Sequence, residues 1–159
     1  MIIVSDTSPI NYLMLVEEIR IVPILFGEVF IPPAVLSELL RPATPESVRS
    51  WISARPNWLE LRSPSKVDKN IPLDTGEREA ICLAEELKAT LILIDDKKAR
   101  DIAKTRGLTV AGTLNVLAQG AQCGLLNLER AIEKLSRTNF RASPKLLGEI
   151  LSRYGKRTQ

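Results

Sequence analysis

Ile2-Ile3-Val4-Ser5-Asp6 and Leu91-Ile92-Leu93-Ile94-Asp95-Asp96 are two apolar segments that run directly into aspartate. Short, continuously apolar and β-branched runs of this kind are typical of strands buried on both faces, as in a parallel α/β sheet. Ligands of such sheets bind beyond the carboxyl ends of the strands. We therefore expect these carboxylates to meet at one sheet edge, where they either form structural ion pairs or hold a cation.

The composition excludes several classes of protein. The chain of 159 residues contains 45% hydrophobic and 26% charged residues, which is typical of a single globular domain. It has no histidine, so catalysis and metal binding by imidazole are excluded. The first residues turn acidic too early for a signal peptide, and no apolar run approaches the roughly 18 residues of a membrane span. We expect a cytoplasmic protein with no membrane partner.

The charge distribution favours a polyanionic partner. The net charge is +3, although the candidate site is acidic. A basic exterior around an acidic pocket suits a polyanion such as nucleic acid, which would be both held and attacked. The alternative is an ordinary basic surface, since a pI near 9.0 is common among small proteins.

Strand and helix patterns alternate along the chain, which predicts an α/β layer architecture with a mainly parallel sheet and right-handed crossovers. Besides the two opening segments, strands are expected at 29–31, 58–61 and 108–110. Helices are expected at 9–15, 18–26, 33–41, 45–55, 74–87, 97–106, 112–122, 128–135 and 144–154. We assign residues 1–159 to one domain, with the helices from about residue 126 as an appendage.

Asp6 and Glu38 each have a structural alternative. Asp6 follows the first strand, where turns commonly use aspartate to bond their own backbone, and Ser8 with Pro9 is typical of an N-cap and first helical position. Glu38 lies at the border of an apolar helix face, where glutamate is ordinarily solvated. A shared site has a topological basis: the helix of Glu38 follows a second strand, which could bring it to the same sheet edge.

Asp74 and Glu77 have the spacing of a capping box, in which an N-cap side chain and a glutamate three residues later satisfy each other's backbone N–H groups. This pattern explains both acids without any chemistry. However, the helix becomes apolar at once with Ala80 and Ile81, which equally suits a Glu77 buried in a cleft.

Asp95 and Asp96 are adjacent, so their side chains do not point the same way. We expect Asp95 to reach the site and Asp96 to cap the helix that follows, with Asp96 as the second choice of ligand. Lys97, Lys98 and Arg100 are candidates for binding phosphates; the alternative is a solvated helix face.

The same residues resemble the PIN-domain family, close to the VapC-type toxin ribonucleases. The matching segments are Asp6-Thr7-Ser8-Pro9, 73–81, Ile94-Asp95-Asp96 and Gly112-Thr113-Leu114, within about residues 1–125. The resemblance implies a three-layer α/β/α sandwich. It also implies an acidic site that binds Mg²⁺ or Mn²⁺ and hydrolyses RNA, a homodimer, and a small antitoxin partner.

The resemblance also implies a role for each site residue. The metal-binding and catalytic acids are Asp6, Glu38, Glu77 and Asp95, with Asp96 as a further metal ligand. The expected substrate contacts are Ser8, Lys97, Lys98, Arg100 and Thr113. The chain departs from the toxin pattern in having Glu77 where aspartate is frequent, and an acidic doublet where threonine or serine usually precedes a single acid. The alternative function is a non-catalytic PIN-like module that binds RNA or protein.

Overall fold

The computed structural model describes residues 1–155; residues 156–159, the end of the predicted domain, lie outside the described part. The strands are β1 (Ile3–Ser5), β2 (Val29–Ile31), β3 (Leu59–Leu61), β4 (Leu91–Leu93) and β5 (Val110–Ala111). The helices are α1 (Thr7–Leu15), α2 (Ile21–Phe26), α3 (Pro33–Leu39), α4 (Glu46–Ser53), α5 (Thr75–Leu87), α6 (Lys97–Thr105), α7 (Thr113–Gln122), α8 (Leu128–Ser136) and α9 (Pro144–Tyr154). Within residues 1–155, no helix combines the length and the apolar character needed to cross a membrane.

The five strands form one parallel sheet in the order β3-β2-β1-β4-β5. β1 lies at the centre, and Ile3 pairs with Val29 of β2 on one side and with Leu91 of β4 on the other. The carboxyl ends of parallel strands share one edge, so the residues after β1 and after β4 are neighbours. The backbone N–H of Asp6 donates to the carbonyl of Leu93 at 2.8 Å, which joins the two strand ends.

Helices cover both faces of the sheet because successive residues of a strand point to opposite sides. Ile3 is fully buried in a core that includes residues of α1, α2, α4, α7 and α8. Val4 is fully buried in a second core, formed mainly by α5 and α6. The predicted α/β/α sandwich with a parallel sheet is confirmed.

Several predicted element ends differ from the structure, and three of them are informative. α1 begins at Thr7, so Asp6 rather than Ser8 takes the N-cap position. α2 begins at Ile21 rather than at residue 18, because the chain turns sharply after Glu17, whose φ is 61°. β5 begins at Val110 rather than at residue 108, because the N–H groups of Gly107 and Leu108 still bond to the end of α6.

The C-terminal part is not an appendage, in contrast to the prediction. α8 packs into the same core as Ile3 through its buried residues Leu128, Ala131, Ile132 and Leu135. α9 contacts α7 and α8 and contains no fully buried residue. Residues 126–155 therefore help to form the domain itself.

Candidate active site

Asp6 is a buried carboxylate at the end of the central strand. Its side chain is only 4% exposed, and its Oδ1 has no hydrogen-bond partner among the described residues. It occupies the N-cap position of α1 without making a side-chain cap hydrogen bond. A buried polar atom without a partner is costly, so this atom requires an explanation such as a bound ion or water. The structural alternative of a capping aspartate does not account for it.

Burial and neighbouring acids raise the pKa of Asp6. Burial raises the pKa of Asp6 well above its usual range, and a hydrogen bond from the Thr7 backbone lowers it. The carboxylates of Glu77, Glu38 and Asp74 then raise this pKa further, in that order. Three acids from other parts of the chain therefore lie close enough to disfavour a charged Asp6.

Glu38 is positioned between the first turns of α1 and α5. The hydroxyl of Thr7 donates a hydrogen bond to Glu38 Oε2. On the α5 side, a Cβ atom placed on Gly76 would lie 2.5 Å from Glu38 Oε1, so the carboxylate rests directly on this glycine. Glu38 is half-buried and is not the freely solvated glutamate that the sequence left as an alternative.

Glu77 has both of the roles that the sequence allowed. Its backbone N–H donates to Asp74 Oδ1 at 2.8 Å, and the N–H of Asp74 donates to Glu77 Oε1 at 3.4 Å, which completes the capping box. Burial, followed by the carboxylates of Asp74, Asp96 and Glu38, raises the pKa of Glu77 to about 7. The capping glutamate is thus also a member of the acidic cluster, which we define as Asp6, Glu38, Asp74, Glu77 and Asp96.

The two members of the aspartate doublet point to different neighbours. Asp96 caps α6 by accepting from the Ala99 N–H at 3.0 Å, as predicted, and its charge also acts on Glu77. Asp95 accepts from the backbone N–H and from the hydroxyl of Thr113, both at 2.7 Å. Asp96 therefore belongs with the acids that raise the pKa of Glu77, whereas the sequence favoured Asp95 for the site.

The predicted substrate contacts on α6 and α7 do not have the surroundings of a substrate site in the structure. Lys97 and Lys98 are exposed, and Lys97 pairs with Asp101 at 3.1 Å, which matches the solvated-face alternative. Burial raises the pKa of Asp95, and the positive charge of the half-buried Arg100 lowers it. Thr113 is fully buried, so it positions Asp95 and does not face a substrate.

The donor set suits a hard divalent cation that keeps part of its water shell. Residues 1–155 contain no group of three or more Asp, Glu or Cys side chains already close enough to hold a metal ion. Mg²⁺ commonly takes only one or two protein carboxylates and completes its shell with waters and phosphate oxygens. The unpartnered Oδ1 of Asp6 beside other carboxylates fits that requirement.

A groove that the sequence analysis missed opens beside the acidic cluster. It has a volume of about 580 Å³ and lies between α1, the turn at 40–45 and residues 137–139. We call it the α1 groove; its lining includes Thr7, Ser8, Asn11, Tyr12, Glu38, Arg41, Arg137 and Asn139. Helical spacing from Thr7 would have placed Asn11 on the same face, whereas no local pattern points to Arg137 or Asn139. Ser8 is the one predicted substrate contact that lines this groove.

Residues 2–156 match the family model DUF3368, described as a PIN domain, and the chain therefore belongs to the PIN-domain family. PIN domains are generally nucleases that use divalent metal ions. The match extends well beyond the predicted limit of residue 125 and includes the helices that complete the core.

The chain is also similar to the solved structure of a PilT N-terminus domain protein, SSO1118, from the hyperthermophilic archaeon Sulfolobus solfataricus P2. The TM-score is 0.50 at 16% identity, over 90% of this chain and 100% of that chain. At this identity the likeness concerns the fold alone. No curated protein matches the chain.

Proposed function

We propose that this PIN domain is a Mg²⁺- or Mn²⁺-dependent ribonuclease that hydrolyses phosphodiester bonds in single-stranded or structured RNA. One observation carries the proposal: Asp6 Oδ1 is buried without a donor at the end of the central strand, with the carboxylates of Glu38 and Glu77 acting on it. Such a group is stabilised by a cation, and the oxygen-only donor set suits a hard one.

The residues of the acidic cluster have separate tasks in this proposal. Asp6, Glu38, Glu77 and Asp96 would hold the cation, directly or through its waters. The bound cation supplies a water of lowered pKa and stabilises charge on the reacting phosphate. Thr7 orients Glu38 through its hydroxyl, and the capping box orients Glu77.

Asp95 acts as a positioning residue in this proposal. Its two hydrogen bonds from Thr113 join the end of β4 to the start of α7. The adjacent Asp96 is thereby held in place within the acidic cluster, because the backbone next to it is bound from the α7 side.

A non-catalytic module is the second candidate, and a specific observation favours it. Several of the acids already have protein partners: Glu38 binds Thr7, Asp96 binds Ala99, and Asp95 binds Thr113. The described residues also lack a ready three-carboxylate cage. This candidate requires that no metal-dependent cleavage occurs under any condition.

Cleavage of mixed-sequence RNA separates the two candidates. The ribonuclease proposal expects cleavage with Mg²⁺ or Mn²⁺ that is lost in chelator and in Asp6→Asn. Asp101→Asn is a matched control, since Asp101 is an exposed acid of α6 that pairs with Lys97. Product formed equally in chelator, or equally by Asp6→Asn, contradicts the proposal, and no product in any metal favours the non-catalytic module.

The VapC-type toxin role, the homodimer and the antitoxin partner stay predictions of the resemblance. The apolar residues of α8, which could otherwise form a dimer surface, are used in the core. Leu146 of α9 is 41% exposed, so α9 still offers apolar surface to a second copy of the chain. Light scattering at micromolar concentration tests this, and a monomer would contradict the dimer.

A further inference from the structure

We propose that the α1 groove binds the single-stranded RNA segment next to the cleaved phosphate, with Arg41 and Arg137 on phosphates and Tyr12 against a base. The choice of RNA rests on the proposed ribonuclease function. Glu38, a member of the acidic cluster, lines the groove, and so does Thr7, which orients Glu38. The groove and the candidate active site are therefore continuous. A strand held in the groove therefore leads directly to the acidic cluster.

Hydrogen bonds fix both walls of the groove. On one side, the hydroxyl of Thr44 donates to the carbonyl of Glu38 at 2.8 Å, and Arg49 Nε donates to the carbonyl of Thr44 at 2.9 Å. On the other side, the hydroxyl of Tyr12 donates to Asn139 Oδ1 at 2.7 Å. A binding surface fixed in advance loses little conformational entropy when the ligand arrives.

The lining combines the three groups that bind single strands: cations, an aromatic ring and amides. Arg41 has no ion pair within residues 1–155, so its charge is available. Arg137 pairs with Glu133 at 2.7 Å, but both side chains are more than 60% exposed, and a phosphate readily replaces so weak a partner. The Tyr12 hydroxyl donates to Oδ1 of Asn139, so the side-chain NH₂ group of Asn139 remains to donate to a ligand.

The ring of Tyr12 is held in a defined orientation. It packs edge-to-face on Phe140, with 5.0 Å between ring centroids and 88° between planes. Aromatic rings bind the unstacked bases of single strands, whereas duplex RNA is recognised mostly through its shape and backbone. The groove therefore favours unpaired nucleotides. Lys97 and Lys98 on α6 lie outside the α1 groove, and neither pairs with an aromatic ring of residues 1–155.

Salt dependence of RNA binding tests the cationic part of the proposal. Binding of a labelled unstructured RNA of about 12 nucleotides is measured by fluorescence anisotropy in the Asp6→Asn background, so that cleavage does not interfere. Arg41→Gln with Arg137→Gln should lower the slope of log K against log salt by about 1.4, or about 0.7 for each lost phosphate contact. The matched control is Lys97→Gln with Lys98→Gln, which should leave the slope unchanged. An unchanged slope in the arginine variant, or an equal loss in the lysine variant, overturns the proposal.

Two substitutions of Tyr12 test the aromatic part. Tyr12→Leu should weaken binding about 5- to 150-fold, the range found for loss of one base–aromatic stack. Tyr12→Phe should keep most of the affinity, because it loses only the hydroxyl that donates to Asn139. Melting curves show whether each variant folds, and the arginine variant tests the groove if Tyr12→Leu does not. Equal binding of the leucine and phenylalanine variants, or of duplex and single strand, contradicts the proposal.

The outcomes also distinguish this inference from the ribonuclease proposal. RNA cleavage by the wild type, combined with unchanged binding in the arginine variant, overturns the groove assignment alone. Binding that depends on Arg41 and Arg137, without cleavage in any metal, overturns hydrolysis alone. Absence of RNA binding overturns the groove assignment and makes a protein segment the alternative ligand of the groove.

Discussion

Gly76 and Glu38 are in such close approach that a Cβ atom on the glycine would lie 2.5 Å from Glu38 Oε1. The carboxylate of Glu38 therefore occupies the space that any other side chain at position 76 would take. Glu77 is the next residue, so the missing side chain lets two acids from α3 and α5 share one end of the sheet.

Gly76→Ala is expected to displace Glu38 and to preserve the fold, because the conflicting atom is the end of a flexible side chain. Cleavage and the rise in melting temperature caused by Mg²⁺ should both decrease. Gly148→Ala is the matched control: its Cβ would meet no atom within 4 Å. Since Gly148 lies inside α9, alanine there should stabilise the fold by about 0.5–1 kcal/mol and leave the metal response intact. A full metal response in Gly76→Ala would contradict the placement of Glu38 in the site.

Asp6→Asn is expected to be neutral or stabilising in chelator, because it removes a buried carboxylate that has a raised pKa. Loss of a structural aspartate cap would instead cost about 0.5–2 kcal/mol. Mg²⁺ should stabilise the wild type by about 2.7 kcal/mol at a hundredfold excess over Kd, and the variant much less. Denaturation curves with metal and with chelator measure both effects. A loss of stability in Asp6→Asn that is independent of metal, with a wild type that also ignores metal, would make Asp6 a scaffold residue.

Glu77→Gln separates the cap from the charge. Glutamine still accepts from the Asp74 N–H, so the stability of α5 should be retained, whereas the response to metal should be lost. Glu77→Ala should lose the metal response and, in addition, the part of the stability that the capping box supplies. Melting curves of both variants in chelator and in Mg²⁺ give the comparison. If Glu77→Gln keeps the full metal response, Glu77 is a capping residue only.

The stability of the metal-free protein should fall as the pH rises from about 4.5 to about 7. The pKa of Glu77 is raised from 4.5 to about 7 in the folded state, so the folded protein binds more protons than the unfolded chain in this window. The raised pKa of Asp6 acts in the same direction. Glu77→Gln should flatten the profile, and melting temperatures in chelator across this window test it; a wild-type profile as flat as that of the variant would contradict it.

The stabilisation that added Mg²⁺ provides should have the opposite pH dependence. Cations bind the ionised carboxylates, so the rise in melting temperature caused by Mg²⁺ should grow as the pH increases through about 7, where Glu77 loses its proton. A metal effect of equal size on both sides of this pH would show that Glu77 takes no part in binding.

Thr113→Val is expected to cost about 1–3 kcal/mol, because it leaves a largely buried oxygen of Asp95 without its hydroxyl donor. The pKa of Asp95, which burial already raises, should rise further, since the Thr113 hydroxyl lowers it. Thr113→Ser keeps the hydroxyl and serves as the control. Denaturant unfolding of the two variants measures the difference, and equal stability would mean that the hydroxyl does not hold Asp95.

Features set by neighbouring residues were predictable from the sequence. The position of Asp6 follows from an apolar strand that ends in an acid, and the pairing of Asp74 with Glu77 follows from a spacing of three residues. The sequence also predicted that Asp95 and Asp96 diverge. It also predicted the cap that Asp96 makes, but not the direction of Asp95, because that depends on Thr113, eighteen residues further along the chain.

Features that depend on how helices pack across the sheet were not predictable. Thr7 and Glu38 are 31 residues apart, and their contact requires α1 and α3 to meet at one sheet edge. Arg41 and Arg137 face the same groove only because α8 joins the core. The basic run at Lys97 and Lys98 was more conspicuous in the sequence but lies on an exposed helix face.

The order in which the chain is synthesised gives the contribution of residues 137–139 a further consequence. Every member of the acidic cluster precedes Lys97, whereas one wall of the α1 groove comes from residues 137–139. Domains generally fold as units, and α8 shares one core with the central strand β1. The acids and this wall of the groove should therefore reach their final places together, once α8 has been made and has packed. In the proposed function, a nascent chain that ends before residue 137 would lack part of the surface that binds RNA.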